Sequence, residues 1–476
     1  MGRGLHGGRG PDGACGGGGR TREPGIDARL IEADVAVVGA GVSGLASARA
    51  LAAAGRDVVV LEARDRVGGR LWNTEIGGEA NELGGEWVAP YQSRLHALLP
   101  ELGVELFPAY RDGEDVYVDE KGAARRHSGD EHGLSSAEER ALEEGDAKLD
   151  ALAKELDPEE PWEHPRAREL DTVTFDEWLR MEVADGVARE NLRSYLADGF
   201  LTKPAYSFSL LQGLWAIAGA GGTYELFAPE QCLAYRVVGG SQLIPLRIAQ
   251  ELGERVVLES PVRAIDWTKD GVELDAGAVQ VRARTAIVAV APNLMGAIRF
   301  TPSLPAWRMR LQQASSQGSV TKILAVYPEP FWRADGLSGE GFAPHQFVRE
   351  IYDNTPPSAS VGVLCTFLPG EQAEFAGRLH PDRRRELVLE GMSKFVGSSA
   401  LQATDYIETD WSAEEWTRGA YASTFGIGGL TRFGADLRRP VGPLHWACSD
   451  IAGFGHMHME GGVRSGEAAA AAVLAL

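Results

Sequence analysis

Cysteine is scarce: four residues in 476, Cys15, Cys232, Cys365 and Cys448, none of them in a C-x-x-C spacing. Neither a disulfide framework nor a zinc site is indicated, and a reducing cytoplasm fits. Long apolar runs are missing too. Nothing approaches the ~18 apolar residues of a membrane span, and the terminal EAAAAAVLAL is only an alanine-rich helix. A soluble protein without membrane attachment is expected. Positive charge is in short supply, 47 Lys and Arg against 68 Asp and Glu, for a net charge of -21. Nucleic acid phosphates and anionic membrane surfaces would be repelled. A cationic substrate would not, although a merely solvated acidic surface has the same composition. The opening MGRGLHGGRGPDGACGGGGRTREPG lacks the apolar core of a secretory signal, so residues 1–30 are expected to be a disordered Gly/Arg-rich tail.

What is present is concentrated between Ala33 and Arg70. Val35 to Val38 is a short apolar run suited to a parallel strand buried on both faces. Gly39, Gly41 and Gly44 then form G-x-G-x-x-G. The first glycine allows the tight turn, the second lets a pyrophosphate approach the backbone, and the third lets the following helix pack on the strand. Leu45 to Ala54 reads as that helix, Val58 to Leu61 as the next strand, and Glu62 closes it where an acid accepts hydrogen bonds from a ribose diol. Strand, glycines, helix, strand and acid in this order indicate dinucleotide binding. Gly68-Gly69-Arg70 and Glu82-Leu83-Gly84-Gly85 add two further close-approach turns, as expected of a backbone wrapped around a long flat ligand.

LEARDRVGGR followed by LGGEWV resembles the N-terminal signature of the flavin-containing amine oxidases, the monoamine and polyamine oxidases. Weaker matches continue to Leu474. The resemblance implies an α/β fold: a Rossmann-like FAD domain of the glutathione-reductase type, interleaved with an α+β substrate domain. Residues 31–109, 236–290 and 408–476 would form the first, and 110–235 and 291–407 the second. It places Glu62, Ala63, Arg64, Gly69, Arg70, Gly84, Gly85, Glu86, Trp87, Val262, Trp411, Asp450 and Met459 around FAD, beside the three motif glycines.

The chemistry implied is removal of a hydride equivalent from the carbon beside an amine nitrogen, leaving an imine for water to hydrolyse. The cofactor carries the electrons, so the protein needs few acids or bases. Many relatives attach the flavin through a cysteine before a tyrosine. Ala420 holds that place, so FAD is expected to bind noncovalently, and Tyr421 would form one wall of an aromatic cage. The opposite wall falls to His458, just before Met459-Glu460-Gly461, with His456 nearby as a further candidate. An imidazole can be a flat wall or a proton carrier near neutrality. The i, i+2 histidines also invite a metal, but no third ligand follows and no metal is expected. Ala297 stands where relatives have a lysine, which leaves the use of oxygen open. Glu86 either pairs with a substrate ammonium or faces solvent. No arginine can be assigned to a substrate carboxylate, which favours a plain amine.

The expected partners are therefore a small amine, oxygen as acceptor and, for assembly, a second copy in a homodimer. Two alternatives stand: another flavin oxidoreductase on this scaffold, such as an L-amino acid oxidase or a dehydrogenase with a different acceptor, and a flavin-binding protein with little catalysis.

Overall fold

Strand β1 (Arg29–Val38) is an interior strand of the larger sheet, and its last four residues are buried on both faces. The computed structural model describes residues 29–129 and 131–476. Of the expected tail, only Arg29 and Leu30 fall among these, and both already belong to β1. On one side β1 pairs in parallel with β2 (Val58–Leu61), on the other with Val279–Val288. The short strand Val256–Val257 lies beyond β2. Leu444–Trp446 runs parallel to Val279–Val288 at Ala286 to Val288, while the earlier residues of that strand pair antiparallel with Gly271–Asp275. Three stretches far apart in sequence thus return to one sheet, as a dinucleotide domain assembled from separate segments requires.

Helix α1 (Val42–Ala53) follows the glycine turn. Its small residues let the closing helix Met459–Leu474 lie directly against it: a Cβ on Gly466 would come within 2.2 Å of the Ser43 carbonyl oxygen. Gly44 meets the turn that ends β1 in the same way, since a Cβ there would stand 1.9 Å from the Gly39 oxygen. The third motif glycine is therefore a packing residue, in line with its reading from sequence.

The second sheet has seven strands in the order Asp405–Asp410, Val320–Tyr327, Gly362–Pro369, Glu350–Asp353, Leu337–Phe342, Glu114–Val118 and Ala124–His127. Val320–Tyr327 and Gly362–Pro369, an antiparallel pair inside it, are buried along their whole length. Helices cover the rest of this half. Among them is Ser136–Lys154, which opens on the expected Ser135–Glu138 capping box. Two boundaries differ from the sequence reading. Arg299–Thr301 still pairs with Ala264–Thr268 of the first sheet, beyond residue 290, and Asp405–Asp410 keeps the chain in the second sheet past residue 408. Hydrogen-bond pairing sets these limits, and short edge strands leave little pattern in a sequence.

Candidate active site

Between the two sheets runs a cavity of about 830 Å³. It is walled in part by the glycine turn, by Glu62, Ala63 and Arg64, and by Val262. Gly39 sits at φ +100, a conformation open to glycine, and beyond Gly41 a Cβ would meet nothing within 4 Å. α1 has no side-chain cap, so its first N–H groups are free for an anion. Glu62 accepts hydrogen bonds from Ala40 N–H at 2.7 Å and Arg64 N–H at 3.0 Å, which fixes its carboxylate at the cavity wall. Arg64 is held in turn by Glu414 and by the Thr417 hydroxyl at 2.6 Å. Uncapped N–H groups, an open face at Gly41 and an acid two strands along suit the phosphates and ribose of a flavin dinucleotide.

Further along, Gly69, Arg70, Gly84, Gly85, Trp87, Trp411 and Met459 all line the cavity. Asp450 does not. It lies beneath the wall with 2 % exposure, paired with Arg70 and accepting the Ser423 N–H. Its carboxylate stays ionised because, against the burial penalty, the Arg70 guanidinium holds its pKa below the ordinary value. Asp450 is thus a support for Arg70 instead of a ligand contact. Arg70 in turn donates from one nitrogen to the carbonyl oxygen of Tyr421, tying the glycine turn to the aromatic end.

Glu86 is the second correction. It is neither exposed nor free: its carboxylate lies between Lys322 and Arg236, and Arg236 also bonds Glu82 at 2.7 Å. Two acids and two bases from distant segments neutralise one another in the interior. Burial opposes the Lys322 charge, but Glu86 keeps its pKa raised, and its Nζ also donates to Gly84 O. Ala297 lines the cavity without a charge.

Tyr421 and His458 reach the cavity from different elements, one ahead of the strand Ser423–Phe425 and one as the N-cap residue of the closing helix. Tyr421 meets Phe367 edge-on at 5.7 Å, and His458 lies 5.1 Å from Phe200. His458 is not a proton carrier near neutrality. Its Nδ1 sits 3.0 Å from His456 O and its Nε2 3.2 Å from the Tyr91 hydroxyl, and burial pushes its pKa down to about 4. A neutral ring donating from Nδ1 and accepting from Tyr91 satisfies both contacts. His456 is absent from the cavity lining. It is 1 % exposed, stacked on Trp215 at 3.6 Å and bonded to Ala452 O, so its place is in the core. Among the described residues, no group of three or more His, Cys, Asp or Glu is placed to hold a metal.

The sequence reading missed the group that gives this end its polarity. Glu350 and Tyr352 share one face of a strand, and the Tyr352 hydroxyl donates to the Glu350 carboxylate at 2.9 Å. Glu350 is 8 % exposed and lines the cavity, and burial pushes its pKa up to about 7. Among the described residues no cation stands at ion-pair distance from it. Its neighbour Glu340 has one, Arg111 at 2.7 Å. The only trace in the sequence is an acid at an inward position of REIYD.

A nucleotide cradle joined to an aromatic pocket is matched by known proteins along nearly the whole chain. The flavin containing amine oxidoreductase family matches residues 42–474. The chain belongs to this family. Among similar proteins, putrescine oxidase from Kocuria rosea is 45 % identical over 93 % of this chain and 95 % of that protein. An L-amino acid dehydrogenase from a Synechocystis strain is 34 % identical over 93 % and 95 %. A solved structure of putrescine oxidase bound to putrescine superposes with a TM-score of 0.92 at 44 % identity, covering 94 % of this chain and all of that one. The protein is an FAD-dependent amine oxidase, and the cofactor is held noncovalently, since Ala420 in the cavity wall offers no thiol for attachment.

Proposed function

We propose that the substrate is a short aliphatic diamine, oxidised at one end and held at the other by Glu350. The observation that carries this reading is a buried carboxylate in the cavity wall with one hydrogen bond and no cation. Such a group is costly to ionise alone and is stabilised by an arriving ammonium. The putrescine oxidase relatives support the same substrate class.

Bound FAD supplies the hydride acceptor. The chain's own residues orient the amine and keep water out. Tyr421 and Phe367 on one side and His458 and Phe200 on the other offer an apolar, aromatic enclosure that favours the neutral amine. Both polar members of that enclosure are uncharged at neutral pH, since burial raises the Tyr421 pKa and lowers that of His458. In net terms R–CH2–NH2, oxygen and water give R–CHO, ammonia and hydrogen peroxide. Oxygen as acceptor, a homodimer and a cytoplasmic location belong to this proposal. No helix among the described residues is long and apolar enough to cross a membrane.

An amino acid substrate is disfavoured because the nearby cations are already paired, Lys322 with Glu86 and Arg111 with Glu340. The test is Glu350→Gln. KM for 1,4-diaminobutane should rise about 30- to 1,000-fold, while that for 1-aminobutane stays within about threefold. An equal effect on both amines would remove Glu350 from substrate recognition.

A further inference from the structure

A lysine with no carboxylate partner stands behind the tyrosine wall. The π-helical stretch Ser194–Leu201, which carries Phe200, ends at Thr202 in the left-handed region with φ 52. Thr202 is fully buried. Its hydroxyl donates to Ala420 O at 2.6 Å and accepts the Tyr421 N–H at 3.2 Å. Lys203 follows, 8 % exposed. Its Nζ donates to Ser316 O at 2.6 Å, Ser316 Oγ at 2.9 Å and Thr424 Oγ1 at 2.5 Å. Ser316 and Thr424 face each other in the two-stranded ladder that Tyr421 leads into. Three donors therefore meet three oxygens across one rung. Asp450, the nearest acid acting on this ammonium, is already paired with Arg70.

We propose that Lys203 is a positioning residue for amine oxidation: by pinning the Ser316–Thr424 rung, it fixes together with Thr202 where the Tyr421 ring stands opposite His458. A buried ammonium without a carboxylate is an expensive way to fill space, and burial has pushed its pKa down to about 8. A methionine would fill the volume without that cost. What the ammonium adds is direction, because its three hydrogen bonds fix the ladder that Tyr421 leads into relative to the helix bearing Phe200. Since Phe200 touches His458, one short segment reaches both walls and sets the gap between them.

The kinetic part of the test rests on the diamine reading; the spectroscopic part does not. Lys203→Met, Lys203→Gln and Thr424→Val are prepared as full-length, flavin-loaded proteins. Each is mixed anaerobically with 1,4-diaminobutane to separate the limiting rate of flavin bleaching from the apparent Kd. In Lys203→Met the limiting rate should fall about 10- to 100-fold while Kd moves less than about threefold, because misplacement of a reacting group acts on the rate. Thr424→Val should shift the same way by less. The visible circular dichroism of the bound flavin should change in both variants without any substrate. An unchanged limiting rate and dichroism, with only a lower melting temperature, would overturn the proposal. So would a parallel loss of rate, Kd and flavin content. Should Lys203→Met fail to fold, Lys203→Gln and Thr424→Val decide by the same criteria. A wild-type protein that no amine bleaches would sink the diamine reading and leave the dichroism to judge Lys203.

Discussion

The nucleotide end and the amine end of the cavity are built by different means. The first is made of backbone: a glycine turn, uncapped helix N–H groups and one acid, nearly all within a single continuous stretch. The second is made of side chains delivered by elements far apart. Tyr421, His458, Phe200, Phe367 and Glu350 come from five different places in the chain and meet only once both sheets are in place. A backbone site tolerates little change at its glycines and much at its side chains. A side-chain site behaves in the opposite way.

Three substitutions sharpen this contrast, from the largest effect to the smallest. Gly44→Ala puts a methyl 1.9 Å from a backbone oxygen that cannot yield without moving the turn. It should cost more than about 3 kcal/mol and abolish flavin loading, read as the ratio of absorbance at the flavin band to that of protein. Normal loading would show that the turn adapts. Arg70→Met strips the partner from the buried Asp450 and the donor from Tyr421 O. Denaturant unfolding should show a loss of about 3–5 kcal/mol, with slower substrate oxidation in whatever protein remains folded. Retained stability would mean that Asp450 finds another donor. Tyr91→Phe leaves the nucleotide end untouched and removes only the hydroxyl facing His458 Nε2. Loss of about 1 kcal/mol of orientation should slow turnover by up to about tenfold at constant flavin content. A change in flavin affinity instead would place Tyr91 on the wrong side of the comparison.

The same contrast explains what could be read from the sequence. Gly39 through Glu62 was legible because its parts are neighbours along the chain, and the Ser135–Glu138 box because a cap is local by nature. The second wall was half legible. His458 lines the cavity, but its neutrality rests on burial that no spacing reveals, and its partner Tyr91 stands 367 positions away. His456, two residues earlier, turns into the core against Trp215, because the residue between them, Met457, takes φ 71 and the chain does not run on as a regular element. Glu86 was open to two readings, and the structure adopts neither, since its partners Lys322 and Arg236 arrive from other strands. Glu350 was not found at all. An acid at the start of a short strand looks like any other until the fold shows that it lines the cavity with no cation at ion-pair distance among the described residues.

The central claim is that Glu350 receives an ammonium, and its raised pKa gives the claim a sign. With a folded pKa of about 7, Glu350 is a carboxylate above that pH and neutral below it. Selectivity for a diamine should therefore be present above about pH 7 and fade as pH falls through it. The decisive measurement is kcat/KM for 1,4-diaminobutane divided by that for 1-aminobutane, followed from about pH 5.5 to about pH 9, which cancels the protonation of the reacting amine common to both. The account predicts a ratio that is flat in the alkaline range and falls about tenfold for each unit below about pH 7. A ratio independent of pH, or one close to unity throughout, would contradict it.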